Sequence, residues 1–515
     1  MNLASSERAG VPERASPFAH FTRDFTASIV VFLVAMPLCM GIAIASGVPP
    51  EKGIVTGIIG GIVVGFLAGS PLQVSGPAAG LAVIVFEFVR ENGIEALGPV
   101  LLLAGVLQLV AGALKLGGLF RAISPAVVHG MLAGIGALIV IGQFHIMFDE
   151  KPLSSGLENI AMMPTRILGL NPFDLSGTEL ALALGVLTIV VMLGWEKLRP
   201  KSMALVPGAL LGVMAATLLA WFLNLGVARI DVPASLGAAF ALPTSAAWFA
   251  PLANPTLIVA AVAIAFIASA ETLLSAAAVD RMHDGVRTEY NKELRAQGVG
   301  NFLCGLVGAL PMTGVIVRSS ANVQAGAQTR LSAILHGAWI LGFVALLPWL
   351  LREVPMAALG GVLVVTGARL VSLKHVRHLF DAHGFLPAAI WATTFILVIA
   401  TDLLTGVLVG LALTLVEVMP FARSLRLKVH EHDEGAATRL ELHGAATFVG
   451  LTRLNMVLEK LPADRPVHLD LGHLRAMDHT TAETLREWLS HRLQRGYQDR
   501  VTGPETLLRP LPLTG

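Results

Sequence analysis

One stretch of the chain, Gly308 to Gly326, places a single arginine, Arg318, behind a helix-breaking start in an apolar region. Pro311 lacks a backbone N–H, and the glycines cost backbone entropy, so the first residues of the stretch disfavour helix. A helix can begin near Val315, and its first free N–H groups carry partial positive charge. With Arg318 these groups predict a small anion site inside a membrane. The alternative is a glycine-rich helix contact with Arg318 reaching an interface.

A second interrupted stretch runs from Gly69 to Gly80 and is followed by an apolar run that ends near Val89. That run is too short to cross a bilayer alone, since a full crossing takes about 20 residues. The pattern predicts extended backbone and then a half-helix starting near Ser75 to Ala78, with Ser75 as its cap. Irregular backbone at membrane depth is tolerated only where it lines a cavity or is packed in protein.

Backbone N–H groups and hydroxyls of the two stretches, together with the charge of Arg318, are the expected anion ligands. Gln73 either faces the site or only hydrogen-bonds the extended backbone. The candidate substrate-binding residues are Gln73, Ser75, Gly76, Ala78, Thr313, Gly314, Val315 and Arg318.

Glu271 is a lone carboxylate in the middle of an apolar run that starts at Thr256. A charge at that depth is costly unless it is paired or protonated. Glu271 is therefore either a coupling residue that carries a proton or a structural partner of Arg318. The two roles are compatible, because an ion pair between Glu271 and Arg318 that breaks when the anion binds would itself be a coupling device.

Composition indicates a membrane protein. The chain has 515 residues, of which 55% are hydrophobic and 14% charged, whereas soluble proteins carry about 25% charged residues. The formal net charge of +1 gives no indication of nucleic-acid binding. Cys39 and Cys304 lie far apart in apolar segments and indicate no disulfide framework. We find no Walker motif and no metal-ligand spacing, so we expect neither an ATP-driven pump, a metal site nor an enzyme.

The apolar segments form two sets of seven, and the interrupted segment is third in each set. Paired broken segments at corresponding positions are the best sequence indication of a transporter's central site. We therefore predict an all-α polytopic membrane protein with 14 transmembrane segments as 7+7 inverted repeats. The predicted domains are a cytoplasmic tail at 1–23, a transport domain at 24–422 with repeats at about 24–225 and 255–422, a small cytoplasmic α/β domain at 437–500, and a disordered tail at 501–515. Lysines and arginines concentrate in the loops of one side, which places both termini in the cytoplasm.

Three motifs carry a family resemblance: Ser75-Gly-Pro-Ala-Ala-Gly80, Ala270-Glu-Thr-Leu-Leu-Ser275 and the stretch around Arg318. With them the chain resembles the SulP family of anion permeases, most closely its bacterial bicarbonate-transporter-like branch, and the C-terminal segment is similar to a short STAS domain. The resemblance implies a homodimer in the bacterial inner membrane and a core domain that moves against a gate domain. It also implies an anion held between the third and tenth spans, and carbonic anhydrase as a partner.

The resemblance also implies an ion-coupling site. The positions that match the sodium site of sodium-coupled members are Glu271, Ser275, Gly314 and Ile316. Ile316 has no side-chain oxygen, which favours H⁺ over Na⁺ as the co-transported ion, although backbone carbonyls can coordinate Na⁺. No other cofactor is expected. In the STAS-like segment, His479 stands where the family's phosphorylated serine would be, which argues against phosphoregulation there. The segment also ends about one strand and one helix short of the family's domain, so packing and dimer contact are expected rather than nucleotide binding.

These observations predict a secondary active transporter of a small inorganic anion, with bicarbonate first, by proton- or sodium-coupled symport. A sulfate or small-dicarboxylate transporter remains an alternative, because any small oxyanion fits a pair of helix dipoles and one arginine. An anion channel or exchanger of the same fold is a second alternative. A nucleobase permease is disfavoured, because it would need a carboxylate on the tenth span, where this chain has Arg318.

Overall fold

The computed structural model contains both sets of seven segments and a separate C-terminal α/β domain. It describes residues 17–120, 124–153, 155–170, 177–203, 205–231, 254–280, 282–283, 285–371, 377, 381, 385–418, 427–433, 437–461, 465–494, 497–508 and 511.

In the first repeat the third segment is a strand joined to a short helix, and an amphipathic helix follows the fifth segment. The elements in chain order are α1 (Pro17–Ala45), α2 (Pro50–Leu67), β1 (Ser75–Pro77), α3 (Ala79–Asn92), α4 (Leu97–Ala113), α5 (Pro125–Met147), the amphipathic α6 (Gly156–Leu168), α7 (Gly177–Leu198) and α8 (Gly208–Phe222).

The second repeat has the same order of its seven segments, again with a strand and a half-helix in third place, and no counterpart of α6 is seen among its described residues. Its elements are α9 (Pro255–Asp280), α10 (Tyr290–Val307), β2 (Met312–Gly314), α11 (Ile316–Gln324), α12 (Leu331–Leu346), α13 (Met356–Leu370), α14 (Phe385–Ala400) and α15 (Leu403–Val418). Within the described ranges, six helices are long and apolar enough to cross a membrane, and five shorter helices are also apolar.

The helices pack into two groups, and each group draws on both repeats. The core group contains α1–α4 and α9–α12, and the gate group contains α5, α7, α8 and α13–α15. Glycines allow backbones to touch inside each group. A Cβ atom on Gly105 of α4 would lie 2.5 Å from the Phe302 nitrogen of α10, and one on Gly136 of α5 would lie 2.4 Å from the Gly367 oxygen of α13.

Helix α1 begins earlier than the sequence predicted. The tail predicted at 1–23 overlaps the helix, which is present from Pro17, and residues 1–16 lie outside the described part. Asp24 explains the extension, because its carboxylate accepts hydrogen bonds from the backbone N–H groups of Gln328 and Thr329. Phe25 also packs edge-on against Trp339, with ring centroids 5.6 Å apart. Both contacts hold the first turns of α1 against helix α12 and the loop before it, which contains Gln328 and Thr329.

The C-terminal domain is a five-stranded sheet packed on two longer helices. Its elements are β3 (Lys428–Asp433), β4 (Thr438–Ala446), α16 (Phe448–Lys460), β5 (Val467–Asp470), β6 (Leu474–Met477), α17 (His479–Gln494), β7 (Arg500–Thr502) and α18 (Glu505–Leu508). The strand order is β3-β4-β5-β7, and β6 pairs with β4. Strand β3 is antiparallel to β4, and the other pairings are parallel.

Both predicted boundaries of this domain were too narrow. Strand β3 precedes the predicted start at 437, β7 extends into the tail predicted as disordered at 501–515, and α18 lies within that tail. The prolines of that tail suggested disorder, but Leu511 is buried in the apolar core of the domain. Residues 509–510 and 512–515 lie outside the described part.

Candidate functional site

The two interrupted stretches meet as a short antiparallel strand pair. Ser75 pairs with Gly314, Gly76 with Thr313 and Pro77 with Met312. Strand pairing satisfies backbone groups that would otherwise be unpaired within the membrane. The sequence predicted extended backbone in both stretches but not this pairing, because nothing local specifies a partner so distant in the chain.

A half-helix begins directly after each strand. The residues before the first turns, Ala78 for α3 and Val315 for α11, are extended and have no side-chain cap. The predicted start near Val315 is therefore confirmed. The predicted capping role of Ser75 is wrong, because Ser75 belongs to β1 and its hydroxyl accepts a hydrogen bond of 2.6 Å from Nε2 of Gln297. Two uncapped helix N-termini result, each a favourable place for negative charge.

Both helix N-termini line one cavity of about 160 Å³ between the core and gate groups, called here the central cavity. Its core side includes Ala79 and Gly80 of α3 and Val315 of α11. Its gate side is mostly apolar, with Met131 of α5 and Leu363 of α13 among the lining residues, and it includes two polar side chains, His129 of α5 and Thr366 of α13. A cavity of roughly 150 Å³ holds a benzene molecule, so volume alone admits bicarbonate and sulfate equally.

Two further cavities follow the same core–gate interface. One, of about 60 Å³, lies between α3 and α5 and includes Phe86 and Gln143 in its lining. The other, called here the vestibule, measures about 490 Å³ and lies between α1 and α11 on the core side and α7, α8 and α13 on the gate side. The cavity on the side of the vestibule is therefore much the larger of the two.

Glu271 and Ser275 of α9 line the central cavity, as expected for a coupling pair. The Glu271 carboxylate lies against the first turn of α3, because a Cβ atom on Gly80 would be 2.5 Å from Glu271 Oε2. That oxygen is buried and has no hydrogen-bond partner. An unpaired carboxyl oxygen at a helix N-terminus can hold a proton or give way to an incoming anion.

Gly314, the third residue predicted for ion coupling, does not line the central cavity. Its N–H donates a hydrogen bond of 3.1 Å to Oγ1 of Thr272, and a Cβ atom on Gly314 would collide with Nε2 of Gln73. Thr272 was missed in the sequence, although its place beside Glu271 was the available signal. The Thr272 hydroxyl ties β2 to α9 next to the carboxylate.

Four predicted substrate ligands lie behind the cavity wall. Gln73 donates from Nε2 to the Thr272 carbonyl at 2.9 Å. Ser75 is bound to Gln297 as described above, and Gly76 lies in the middle of β1. The hydroxyl of Thr313 is buried without a hydrogen-bond partner. The structure therefore assigns Gln73 and Ser75 to holding the strands in place, and it brings neither these four residues nor Ala78 to the surface of the central cavity.

Arg318 also points away from the central cavity. Its side chain is fully buried, none of its three guanidinium nitrogens bonds to a nitrogen or oxygen atom, and the guanidinium lies beside the Cys39 thiol. The guanidinium lies against Gly76, where an added Cβ atom would be 2.2 Å from Nη1. Among the ion pairs of the described residues, none joins Arg318 to Glu271, so the predicted structural pairing and the interfacial position are both wrong. Arg318 is a buried positive charge behind the strand pair.

Core side chains that the sequence did not single out fix the two strands. Asn301 of α10 accepts a hydrogen bond of 2.7 Å from the N–H of Met312 and donates to the Met312 carbonyl at 3.1 Å. Ser319 accepts from the N–H of Val74 at 2.9 Å, and Thr56 accepts from the N–H of Leu310 at 2.9 Å. The strand pair is therefore attached to several core helices.

Two half-helices that meet at a strand pair inside an apolar bundle are typical of the central site of a polytopic transporter. Residues 21–394 match the sequence model of the Sulfate permease family, so the chain belongs to that family, as its motifs predicted. It is a multi-pass membrane protein of an anion-transporter family and not an enzyme.

Several known proteins are similar to the chain. The “Putative sulfate transporter YvdB” of Bacillus subtilis is 32% identical over 407 residues, which is 77% of this chain and 73% of that protein. The bicarbonate transporter BicA of Picosynechococcus is 24% identical over 416 residues, 76% of this chain and 69% of that protein. The solved transmembrane domain of a cyanobacterial BicA superposes with a TM-score of 0.65 at 21% identity and covers 76% of this chain and 98% of its own.

Proposed function

We propose that the chain is a secondary active transporter of a small inorganic anion, with bicarbonate as its first substrate. The observation that carries the proposal is the central cavity, where two uncapped helix N-termini meet beside one carboxylate. The anion binds to the first N–H groups of α3 and α11, and the buried charge of Arg318 adds a favourable potential through β1. The substrate is recognised by charge and size, since few polar side chains line the cavity.

Transport is coupled to an ion through Glu271. Burial penalises the charged carboxylate, and the start of α3 cannot hold both this charge and an anion without repulsion. Protonation of Glu271 as the anion binds removes that repulsion and couples the two. Ile316 lines the cavity with no side-chain oxygen, which favours H⁺ over Na⁺; sodium symport would require backbone carbonyls.

The protein operates by an elevator-like motion of the core group against the gate group. Support comes from the series of cavities along the interface of the two groups and from the attachment of both half-helices to the core. It functions as a homodimer in the bacterial inner membrane, with both termini in the cytoplasm. A carbonic anhydrase that interconverts bicarbonate and CO₂ is a natural partner for this activity.

Sulfate is the second candidate substrate, and the similarity to the Bacillus protein named as a sulfate transporter supports it. The cavity volume admits either anion, so substrate choice rests on how the helix N-termini distinguish one negative charge from two. A dicarboxylate transporter and an anion channel or exchanger remain alternatives of the same fold without a specific observation in their favour.

The test is uptake of labelled bicarbonate and labelled sulfate into proteoliposomes under an imposed proton or sodium gradient. Accumulation of bicarbonate driven by protons supports the proposal in full. Accumulation driven by sodium assigns coordination to backbone groups near Ile316. Sulfate accumulation without bicarbonate replaces the substrate, and uptake of neither anion overturns the proposed function.

A further inference from the structure

The lining of the vestibule includes several charged and polar side chains. Glu196, Arg199 and Arg369 line it from the gate group, and Ser320 and Gln324 line it from α11 of the core group. Two guanidinium groups and one carboxylate therefore line the vestibule on its gate side. The loops of this side are those predicted to face the cytoplasm.

The vestibule adjoins the central cavity. Leu38 of α1, Val317 of α11 and Thr366 of α13 line both spaces. An anion that crosses between the water on this side and the helix N-termini therefore passes the charged residues of the vestibule.

The position of Arg369 is set by a chain of contacts within the gate group. Its guanidinium forms an ion pair with Glu196, which joins α13 to α7. Glu196 is in turn fixed by close packing of α7 on α8, where a Cβ atom on Gly208 would lie 3.3 Å from Glu196 Cγ. Trp195 Nε1 donates to the Val206 carbonyl at 2.9 Å and fixes the connection between these helices.

We propose that the vestibule is a second anion subsite, which takes small oxyanions from the water through Arg369 before they reach the central cavity. Glu196 is the positioning residue: it holds Arg369 at the wall and partly neutralises it. The inference rests on the proposed function for its ligand class, because the transported anion is the species that must pass. The proposal gives a role in anion binding to Arg369 and Glu196, which do not line the central cavity.

The expected strength of this subsite is modest. The side chain of Arg369 is 47% exposed and that of Glu196 is 31% exposed, so water and salt screen both charges. Charged clefts of this kind raise the local concentration of an oppositely charged ligand by about tenfold or more at low ionic strength. A subsite of this strength concentrates anions and still releases them.

The first test measures the electrostatic potential of the vestibule without measuring transport. Ser320→Cys places a thiol in the vestibule of the full-length protein, whereas the native Cys39 and Cys304 are buried. The thiol is labelled with an anionic and a cationic methanethiosulfonate reagent, and the ratio of the two rates is recorded. Taking the ratio removes differences in thiol accessibility. Gln324→Cys supplies a second position if Ser320→Cys fails to fold.

We expect the anionic reagent to be favoured. Arg369→Gln should lower the anionic-to-cationic rate ratio by about threefold to tenfold at low salt, and Glu196→Gln should raise it. Bicarbonate or sulfate should slow the labelling by either reagent. The control is Arg229→Gln, which breaks a similar ion pair with Glu353 on the other side of the gate group and should leave the ratio unchanged. An unchanged ratio in Arg369→Gln, or no protection by either anion, overturns the subsite.

The second test uses transport and separates the subsite from the proposed function. The concentration of a salt of impermeant ions is raised on one side of oriented membrane vesicles and, in a separate experiment, on the other side. Wild-type transport should fall about threefold or more when salt is raised on the vestibule side only, and Arg369→Gln should lose this asymmetry. Wild-type transport without the asymmetry overturns the subsite and leaves the proposed function intact. Failure of the wild type to transport either anion overturns the proposed function, while the labelling ratio still decides whether the vestibule attracts anions.

Discussion

At the start of α3 a glycine and a carboxylate occupy the place where an anion would bind. Gly80 leaves room for Glu271, whose Oε2 atom has no hydrogen-bond partner. Arg318 is only a short distance along the chain from the other helix N-terminus, yet its guanidinium lies behind the strand pair against Gly76. The two charged residues therefore act from opposite sides of β1 and have different testable roles.

Gly80→Ala should reduce transport strongly while leaving the protein folded. The new methyl group would lie 2.5 Å from Glu271 Oε2 and force the carboxylate out of its position. We expect at least a tenfold loss of uptake in proteoliposomes. The control is Gly194→Ala, where an added Cβ atom has nothing within 4 Å and should have no effect on uptake. Normal uptake by Gly80→Ala would show that the position of Glu271 is not critical.

Glu271→Gln should remove gradient-driven accumulation and retain anion exchange. The amide resembles the protonated carboxyl group but cannot release the proton, so the two driving forces become uncoupled. The measurement compares accumulation under a proton gradient with exchange of internal for external label. Glu91→Gln, on the exposed end of α3, is the control and should accumulate normally. Undiminished accumulation by Glu271→Gln would exclude this residue from coupling.

Arg318→Met should raise the stability of the protein and lower its transport activity. The substitution removes a buried charge that has no nitrogen or oxygen hydrogen-bond partner and only the Cys39 thiol beside it, and buried polar groups left unsatisfied cost about 1–3 kcal/mol or more. We expect the apparent melting temperature to rise and anion uptake to fall at least tenfold. A melting temperature that falls sharply would indicate instead that the arginine has partners that stabilise the core.

At the scale of elements, the half-helices are held by side chains of the neighbouring core helices. Asn301 of α10 binds both the N–H and the carbonyl of Met312, and it also donates to Gln108 Oε1 of α4 at 2.8 Å. Three elements thus share one buried amide. Displacement of β2 relative to the core would break several hydrogen bonds at once.

Asn301→Ala should destabilise the core group. It leaves the Met312 N–H without a partner in a buried place, which costs about 1–3 kcal/mol. The expected result is a lower apparent melting temperature together with reduced uptake. Thr401→Ala serves as the control, because its exposed hydroxyl bonds only to a carbonyl of its own helix, Leu397, and such a surface change stays within about 0.5 kcal/mol. Equal melting temperatures for the two variants would contradict the role of Asn301.

The breaks and helix starts could be predicted from sequence, but the directions of the side chains could not. Proline and glycine in an apolar region locate the breaks, and Val315 marked the start of α11 correctly. Successive residues of a helix differ by about 100° in direction, so Val315 to Val317 line the cavity while Arg318 faces away. The register between two strands so distant in the chain decides which side chains face the central cavity and which face the protein interior. Local sequence does not encode that register.

At the scale of the whole molecule, the C-terminal domain closes its own core with its final residues. Strand β7 extends the sheet beside β5, and Leu511 is buried with the leucines of β4 and α17. Composition suggested disorder there because prolines separate the leucines. The burial of these leucines depends on the sheet edge formed by β5, some thirty positions earlier in the chain, which a local pattern does not reveal.

Ending the chain after residue 498 should unfold the C-terminal domain and leave the transport domain folded. Loss of β7 exposes an edge of β5, and loss of Leu511 opens the apolar core. Limited proteolysis of the full-length and shortened proteins is the measurement, with cleavage expected only in residues 428–498 of the shortened form. A chain ending after residue 511 is the control and should resist cleavage. Equal resistance of the two forms would contradict a structural role for these last elements.

The hydrogen-bonded strand pair also has a consequence for biosynthesis. The Val74 N–H is bonded to Ser319, a residue 245 positions later. At about 5–20 residues per second the ribosome needs about 12–50 s to produce that partner. For this interval the backbone of the first broken segment has no strand to pair with. The nascent protein must keep that segment near the lipid headgroups or beside an insertion factor until the second half of the chain has been made.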